Sequence, residues 1–256
     1  HVKGKRLFNI LNINKISIFY FSYILIAILV IIIWTIIPFI SLMIFLLVAS
    51  YHFGKEDTQF LINENTYFNQ LLFLFKGLLI IVAPMFFHFE ETVAIFKLLL
   101  VDNKIFYSTL EFIEVNKILP IAIILSSLSS IFLFLRKFEI KKFIVFFDYF
   151  SILILNYYLT PLVAFTVYFC FLHSIRHSIT LIYEIDKNDF KNGLKVFGQK
   201  ALPLTILTAI FCLIGLYLLN NNYDFDSSIL KIIFIGLASL TFPHILLEYF
   251  LEKNEK

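Results

Sequence analysis

Long uncharged apolar runs, separated by short polar stretches rich in lysine, set the pattern of the chain. Eight segments stand out, approximately Ile16–Ile36, Phe39–Phe53, Phe68–Phe89, Lys117–Leu135, Phe143–Leu159, Pro161–Tyr183, Ala201–Leu219 and Ile229–Phe250. Each approaches the ~20 residues that an α-helix needs to cross a bilayer core. The run from Ile16 to Tyr51 is too long for one span, and Pro38 is its natural break because proline cannot continue a helix interior. Pro161 divides the next ambiguous run, since proline fits the first turn of a new helix. No internal repeat or low-complexity linker is evident. The pattern predicts an all-α polytopic membrane helix bundle with about eight transmembrane helices, a single integral membrane domain over residues 1–256.

Charge placement orients this bundle. Lys3, Lys5, Arg6 and Lys15 precede the first span. Arg136, Lys137, Lys141 and Lys142 follow the fourth, and Lys187, Lys191, Lys195 and Lys200 follow the sixth. Lys253 and Lys256 end the tail. With eight spans these clusters fall on one side, whereas the turns at Pro38 and Thr160 and the Asn220–Ser228 loop carry no Lys or Arg. The remaining connection, Glu90–Asn116, is mixed in character. Cytoplasmic loops carry the excess of basic residues, so both termini are predicted to be cytoplasmic, in a multi-pass protein of the cell (inner) membrane.

Composition agrees: of 256 residues 60% are apolar, 33 are Phe and only 15% are charged, against about 45–50% apolar in soluble domains. The net charge of +3 comes from loop lysines with no basic stripe, so no nucleic-acid partner is expected. With 7 glycines there is no Gly-rich phosphate loop. Cys170 and Cys212 lie in apolar runs and read as small buried packing residues, with no disulfide framework. No cleavable signal peptide is seen, and the abrupt opening at His1, before a basic cluster, predicts that upstream residues precede it.

The histidines carry the candidate chemistry. His173 and His177 are four apart in an apolar helix, so both imidazoles face one way, with Arg176 beside the second. Ionisable groups are expensive in a bilayer, which makes such a pair a functional candidate. The predicted topology places His52 near the cytoplasmic edge, His173 near mid-membrane, His177 one turn further in and His244 in the inner half of the last helix. His88, beside Glu90 and Glu91, falls at the opposite face. Imidazoles sharing the inner half can bind iron, copper, zinc or nickel. A lone histidine such as His244 is more often a hydrogen-bonded packing residue. Asp57 follows His52 in Tyr51-His52-Phe53-Gly54-Lys55-Glu56-Asp57, where Gly54 allows a close turn and Asp57 can accept from an imidazole N–H.

At these residues the chain resembles the Brp/Blh family of bacteriorhodopsin-related membrane proteins, the beta-carotene 15,15'-dioxygenases. The resemblance lies in Tyr51-His-Phe-Gly-x-x-Asp57, in Pro161-Leu-Val-x-Phe-x-x-Tyr168-Phe-Cys-x-x-His173-Ser-x-Arg176-His177 and in Leu240-Thr-Phe-Pro-His244. It implies an Fe(2+) centre ligated by His52, His173 and His177, cleaving the central double bond of beta-carotene with O2 to give two all-trans-retinal. Asp57, Arg176, Tyr168 and His244 are then candidates for supporting the ligands or lining a substrate cavity. Carotenoid enters from membrane lipid, and the retinal product suits a rhodopsin partner. The family has a further ligand in an N-terminal Pro-His-Gly-x-x-Asp motif, which nothing here matches. His1-Val2 and the basic arm look like residues just after such a motif.

Two rival classes remain. A glutamate-type intramembrane protease is suggested by Glu90-Glu91 and Phe169-x-x-x-His173, although that family's arginine after the paired glutamates is replaced by Ile95. A non-enzymatic haem-binding or transport protein would use the same imidazoles. Membrane di-iron enzymes need more histidines than the 6 present.

Overall fold

The computed structural model describes residues 16–58, 66–135 and 143–254. The clusters Lys3–Lys15 and Arg136–Lys142, and His1 with the expectation attached to it, lie outside these. Among the described residues the chain is helical throughout, without strands. In order the helices are α1 (Ile16–Ile36), α2 (Pro38–Glu56), α3 (Tyr67–Phe87), α4 (Phe89–Leu98), α5 (Lys104–Val115), α6 (Ile118–Leu135), α7 (Phe143–Tyr158), α8 (Pro161–Ile185), α9 (Phe190–Leu219) and α10 (Phe225–Asn254). Each of the eight apolar segments lies mainly on one helix, with Phe68–Phe89 running past α3 into the first residue of α4. Six helices (α2, α3, α6, α8, α9 and α10) are long and apolar enough to cross a membrane, while Phe21–Ile36 and Phe143–Tyr158 are shorter apolar helices.

The prolines act as punctuation in the expected places. Pro38 opens α2 after a one-residue break at Ile37, and Pro161 occupies the first turn of α8, where its missing N–H has no intrahelical partner to lose. Proline also sits inside α3, α9 and α10, at Pro84, Pro203 and Pro243.

Two expectations need correction. The Glu90–Asn116 connection is largely helical. Glu90 and Glu91 occupy the first turn of α4, where carboxylates suit the positive helix end, and Asn103 caps α5 by accepting from the Phe106 N–H at 2.9 Å. The lysines after α8 are mostly not in a loop either. Lys191, Lys195 and Lys200 ride on the first turns of α9, which starts eleven residues earlier than its apolar run because Asp189 caps it from outside, accepting from the Lys191 and Asn192 N–H groups at 2.9 and 3.2 Å.

The chain forms two compact units. One comprises α1 and the start of α2 up to Ser41, with everything from Ile179 onward. In it α1 packs on α10, and the Tyr23 hydroxyl donates to the Leu240 carbonyl at 3.0 Å. The other spans Leu42–Ser178 and is centred on α3, which packs on α6 and α7. There α2 and α3 approach until their backbones touch. A Cβ on Gly54 would overlap the Phe73 carbonyl, and one on Gly77 would overlap the Ser50 carbonyl. Small residues at such a crossing are the usual device by which membrane helices associate closely. Gly54 therefore serves packing within α2 rather than a turn, for the helix continues to Glu56 and the Asp57 N–H still donates to the Phe53 carbonyl at 2.9 Å.

Candidate metal centre

Within the second unit, the end of α2 and the middle of α8 bring the sequence-selected residues together. From Tyr168 to Ser174 α8 widens into π-helix, a local irregularity that recurs at functional sites. The wider turn lets residues four apart stand nearly above one another. Phe165, Phe169, His173 and His177 form a ladder of rings, with centroids 5.7, 5.7 and 6.4 Å apart and with His173 and His177 only 9° from parallel. His52 approaches edge-on, its ring centroid 5.8 Å from that of His173, and Phe53 closes the other edge at 4.7 Å. His52 and His173 are both buried.

Each histidine of α8 has a carboxylate at its Nδ1. His177 Nδ1 lies 3.0 Å from Glu56 Oε2, so with Nδ1–H donating, its Nε2 lone pair is directed elsewhere. His173 Nδ1 faces Asp57 Oδ1 at 4.0 Å, beyond hydrogen-bond length, and is a buried polar atom with no hydrogen-bond partner. Asp57 itself is firmly held: Tyr168 donates its hydroxyl to Oδ2 at 2.9 Å and Arg176 Nη1 donates to Oδ1 at 3.0 Å. Burial pushes the Asp57 carboxyl up, but His173, Lys76 and Arg176 outweigh it and hold it below the usual carboxylate range. The other arm of Arg176, Nη2, donates to Asp148 Oδ1 at 2.8 Å, and Lys76 Nζ is 4.0 Å from Asp148 Oδ2.

A metal–nitrogen bond of about 2.0–2.1 Å puts a ring centre about 3 Å from an ion, so two coordinating imidazoles have centres about 4.5–6.5 Å apart. The His52–His173 separation lies inside that range and His173–His177 near its upper end. Neutral imidazoles backed by carboxylates are donors that suit iron(II). Among the described residues, no three His, Cys, Asp or Glu side chains converge on a single point.

Of the seven residues selected from sequence, His52, Asp57, Tyr168, His173, Arg176 and His177 lie in this one cluster. His244 belongs to the first unit, on α10 directly after Pro243, and is half-buried. His88 is engaged separately: its Nε2–H donates to the Asn156 carbonyl at 2.8 Å, and its Nδ1 is 3.9 Å from the exposed Glu91. Asp148 and Lys76 are absent from the residues that the sequence points to. A lone lysine and a lone aspartate inside apolar runs were themselves the available signal, because uncompensated charge in such runs is costly. Cys170 and Cys212, expected to be buried packing residues, are free and exposed on the outer faces of α8 and α9.

The comparisons with known proteins point the same way. A family model described as Beta-carotene 15,15'-dioxygenase matches residues 1–252. A curated relative, the Beta-carotene 15,15'-dioxygenase of Uncultured marine bacterium 66A03, is 29% identical over 233 residues, covering 88% of this chain and 77% of the relative. No solved structure matches. With the family match running through nearly all of its helices, the chain belongs to the beta-carotene 15,15'-dioxygenase family.

Proposed function

We propose that this protein cleaves the central 15,15' double bond of beta-carotene with O2, giving two all-trans-retinal, at an iron(II) centre whose ligands are the imidazoles of His52, His173 and His177, the three rings turning toward one point as the ion binds. The balance is simple: one carbon–carbon double bond breaks, and each oxygen atom of O2 ends in one aldehyde. The observation that carries the metal assignment is the carboxylate behind each α8 imidazole, Glu56 at His177 and Asp57 at His173. The Glu56 carboxylate, at hydrogen-bond length, fixes the ring and tautomer of His177, which is what a metal-binding histidine requires, while Asp57 faces the His173 ring from 4.0 Å.

Bound iron would supply the O2 chemistry, with the protein providing orientation and exclusion of side reactions. Phe53, Phe165 and Phe169 make the wall beside His173 aromatic. Such a wall suits a hydrocarbon substrate and keeps water from the cleaved bond. Arg176 and Tyr168 bear on Asp57, so the carboxylate is fixed before any substrate arrives.

A multi-pass protein of the cell membrane with eight spans and both termini cytoplasmic completes the proposal, since carotenoid then reaches the site from lipid and retinal can pass to a rhodopsin. The test is expression in carotene-accumulating cells, with chromatographic analysis for retinal. Retinal should accumulate with the wild type and not with His173→Ala. Longer or shorter apocarotenals in place of retinal would refute central cleavage.

A further inference from the structure

We propose that Asp148 and Lys76 are positioning residues for the metal centre, acting through Arg176 and Asp57 on His173. This rests on the metal role of His173 proposed above. Four charged side chains from four elements form one chain of contacts, with Lys76, Asp148 and Asp57 buried and Arg176 half-buried. Lys76 of α3 lies 4.0 Å from Asp148 of α7, Asp148 accepts from Arg176 of α8 at 2.8 Å, and Arg176 donates to Asp57 after α2 at 3.0 Å. The chain ends at the unbonded Nδ1 of His173, 4.0 Å from Asp57.

Stability alone does not account for this arrangement. A buried ion pair is often no more stabilising than apolar residues of the same volume, and in an apolar helix the desolvation of each charge is costlier still. Moreover, Lys76 Nζ and Asp148 Oδ2 face each other without a hydrogen bond. What the four groups do achieve is balance: two cations, Lys76 and Arg176, against two carboxylates, Asp57 and Asp148. Asp148 occupies one arm of the guanidinium and faces the lysine, so that the Arg176–Asp57 contact leaves Asp57 beside His173. Neutralising Asp148 leaves both cations to compete for Asp57, drawing its carboxylate away from the imidazole. The effect is transmitted through Arg176 and Asp57.

The test is a Co(II) titration of the purified full chain in detergent, read by visible absorption, with thermal unfolding of each variant measured in parallel. Asp148→Asn should weaken Co(II) binding about ten- to a hundredfold, the range for loss of a group that supports a metal ligand, and alter the cobalt spectrum. The double variant Lys76→Met/Asp148→Asn restores the charge balance and should recover most of the affinity. If D148N does not fold but the double variant folds and binds tightly, balance is again the controlling quantity and the proposal holds. Wild-type affinity and spectrum in D148N would overturn it. So would a double variant no tighter than D148N, or failure of both variants to fold. If the wild type itself takes up no Co(II), the metal reading falls and takes this inference with it.

Discussion

α3 and α9 are both apolar enough to cross a membrane, yet they are built for opposite surroundings. Half of the apolar stretch of α3 is buried within the protein, against none of α9's. α3 carries a fully buried Asn69, the buried Lys76, and a glycine pressed against the backbone of α2. The apolar part of α9 carries no charge, and large side chains such as Phe211 and Leu213 are exposed along it. Apolarity therefore says that both helices suit lipid, while the polar and small residues say which one also forms a packed interior. In a medium as apolar as the side chains, hydrophobicity cannot hold helices together, and close packing and polar contacts have to.

The contrast can be broken most sharply at the α2–α3 crossing. Gly77→Val places its Cβ into the Ser50 carbonyl, where backbone cannot yield cheaply. A loss of roughly 3 kcal/mol or more is expected, the upper part of the overpacking range, read as failure to recover folded protein in detergent. Asp57→Ala should come next. It strands one arm of the half-buried Arg176 and the buried Tyr168 hydroxyl, and loss of one partner from a buried ion pair costs about 3–5 kcal/mol, which a lowered thermal midpoint would reveal. Glu56→Gln sharpens the picture without collapsing it. The fold should persist, while metal affinity falls about tenfold or more because the ring of His177 loses the charge of its partner. Leu207→Ala on α9 should do least, within about 0.5 kcal/mol, because its exposed side chain leaves no buried cavity behind.

The same contrast explains what sequence could and could not reveal. Helix existence was legible from apolar runs, and the breaks at Pro38 and Pro161 from proline chemistry, because both are local. The start of α9 was not, since its first turns are amphipathic and held by the Asp189 cap rather than by apolarity. The short helices α4 and α5 were hidden because charged and apolar positions are interleaved along them, leaving no long apolar run. At the site, the spacing of His173 and His177 and the neighbouring His52 and Asp57 were readable as motifs. The π-helical stretch of α8 shows in no apolar pattern, and the pairing of Glu56 with His177 depends on how the end of α2 meets α8. The task of Gly54 is packing and not a turn, and sequence does not distinguish them, because a glycine that permits a turn and one that permits close packing look identical there.

The most direct test is the iron content and optical spectrum of protein purified anaerobically after loading with Fe(II), wild type beside His173→Ala. The wild type should hold non-haem iron, without a Soret band, and form retinal on addition of beta-carotene and O2. H173A should retain its helical content and lose both the iron and the retinal. Full retention of iron and of retinal formation in H173A, or a haem spectrum in the wild type, would contradict a histidine-held iron centre between α2 and α8.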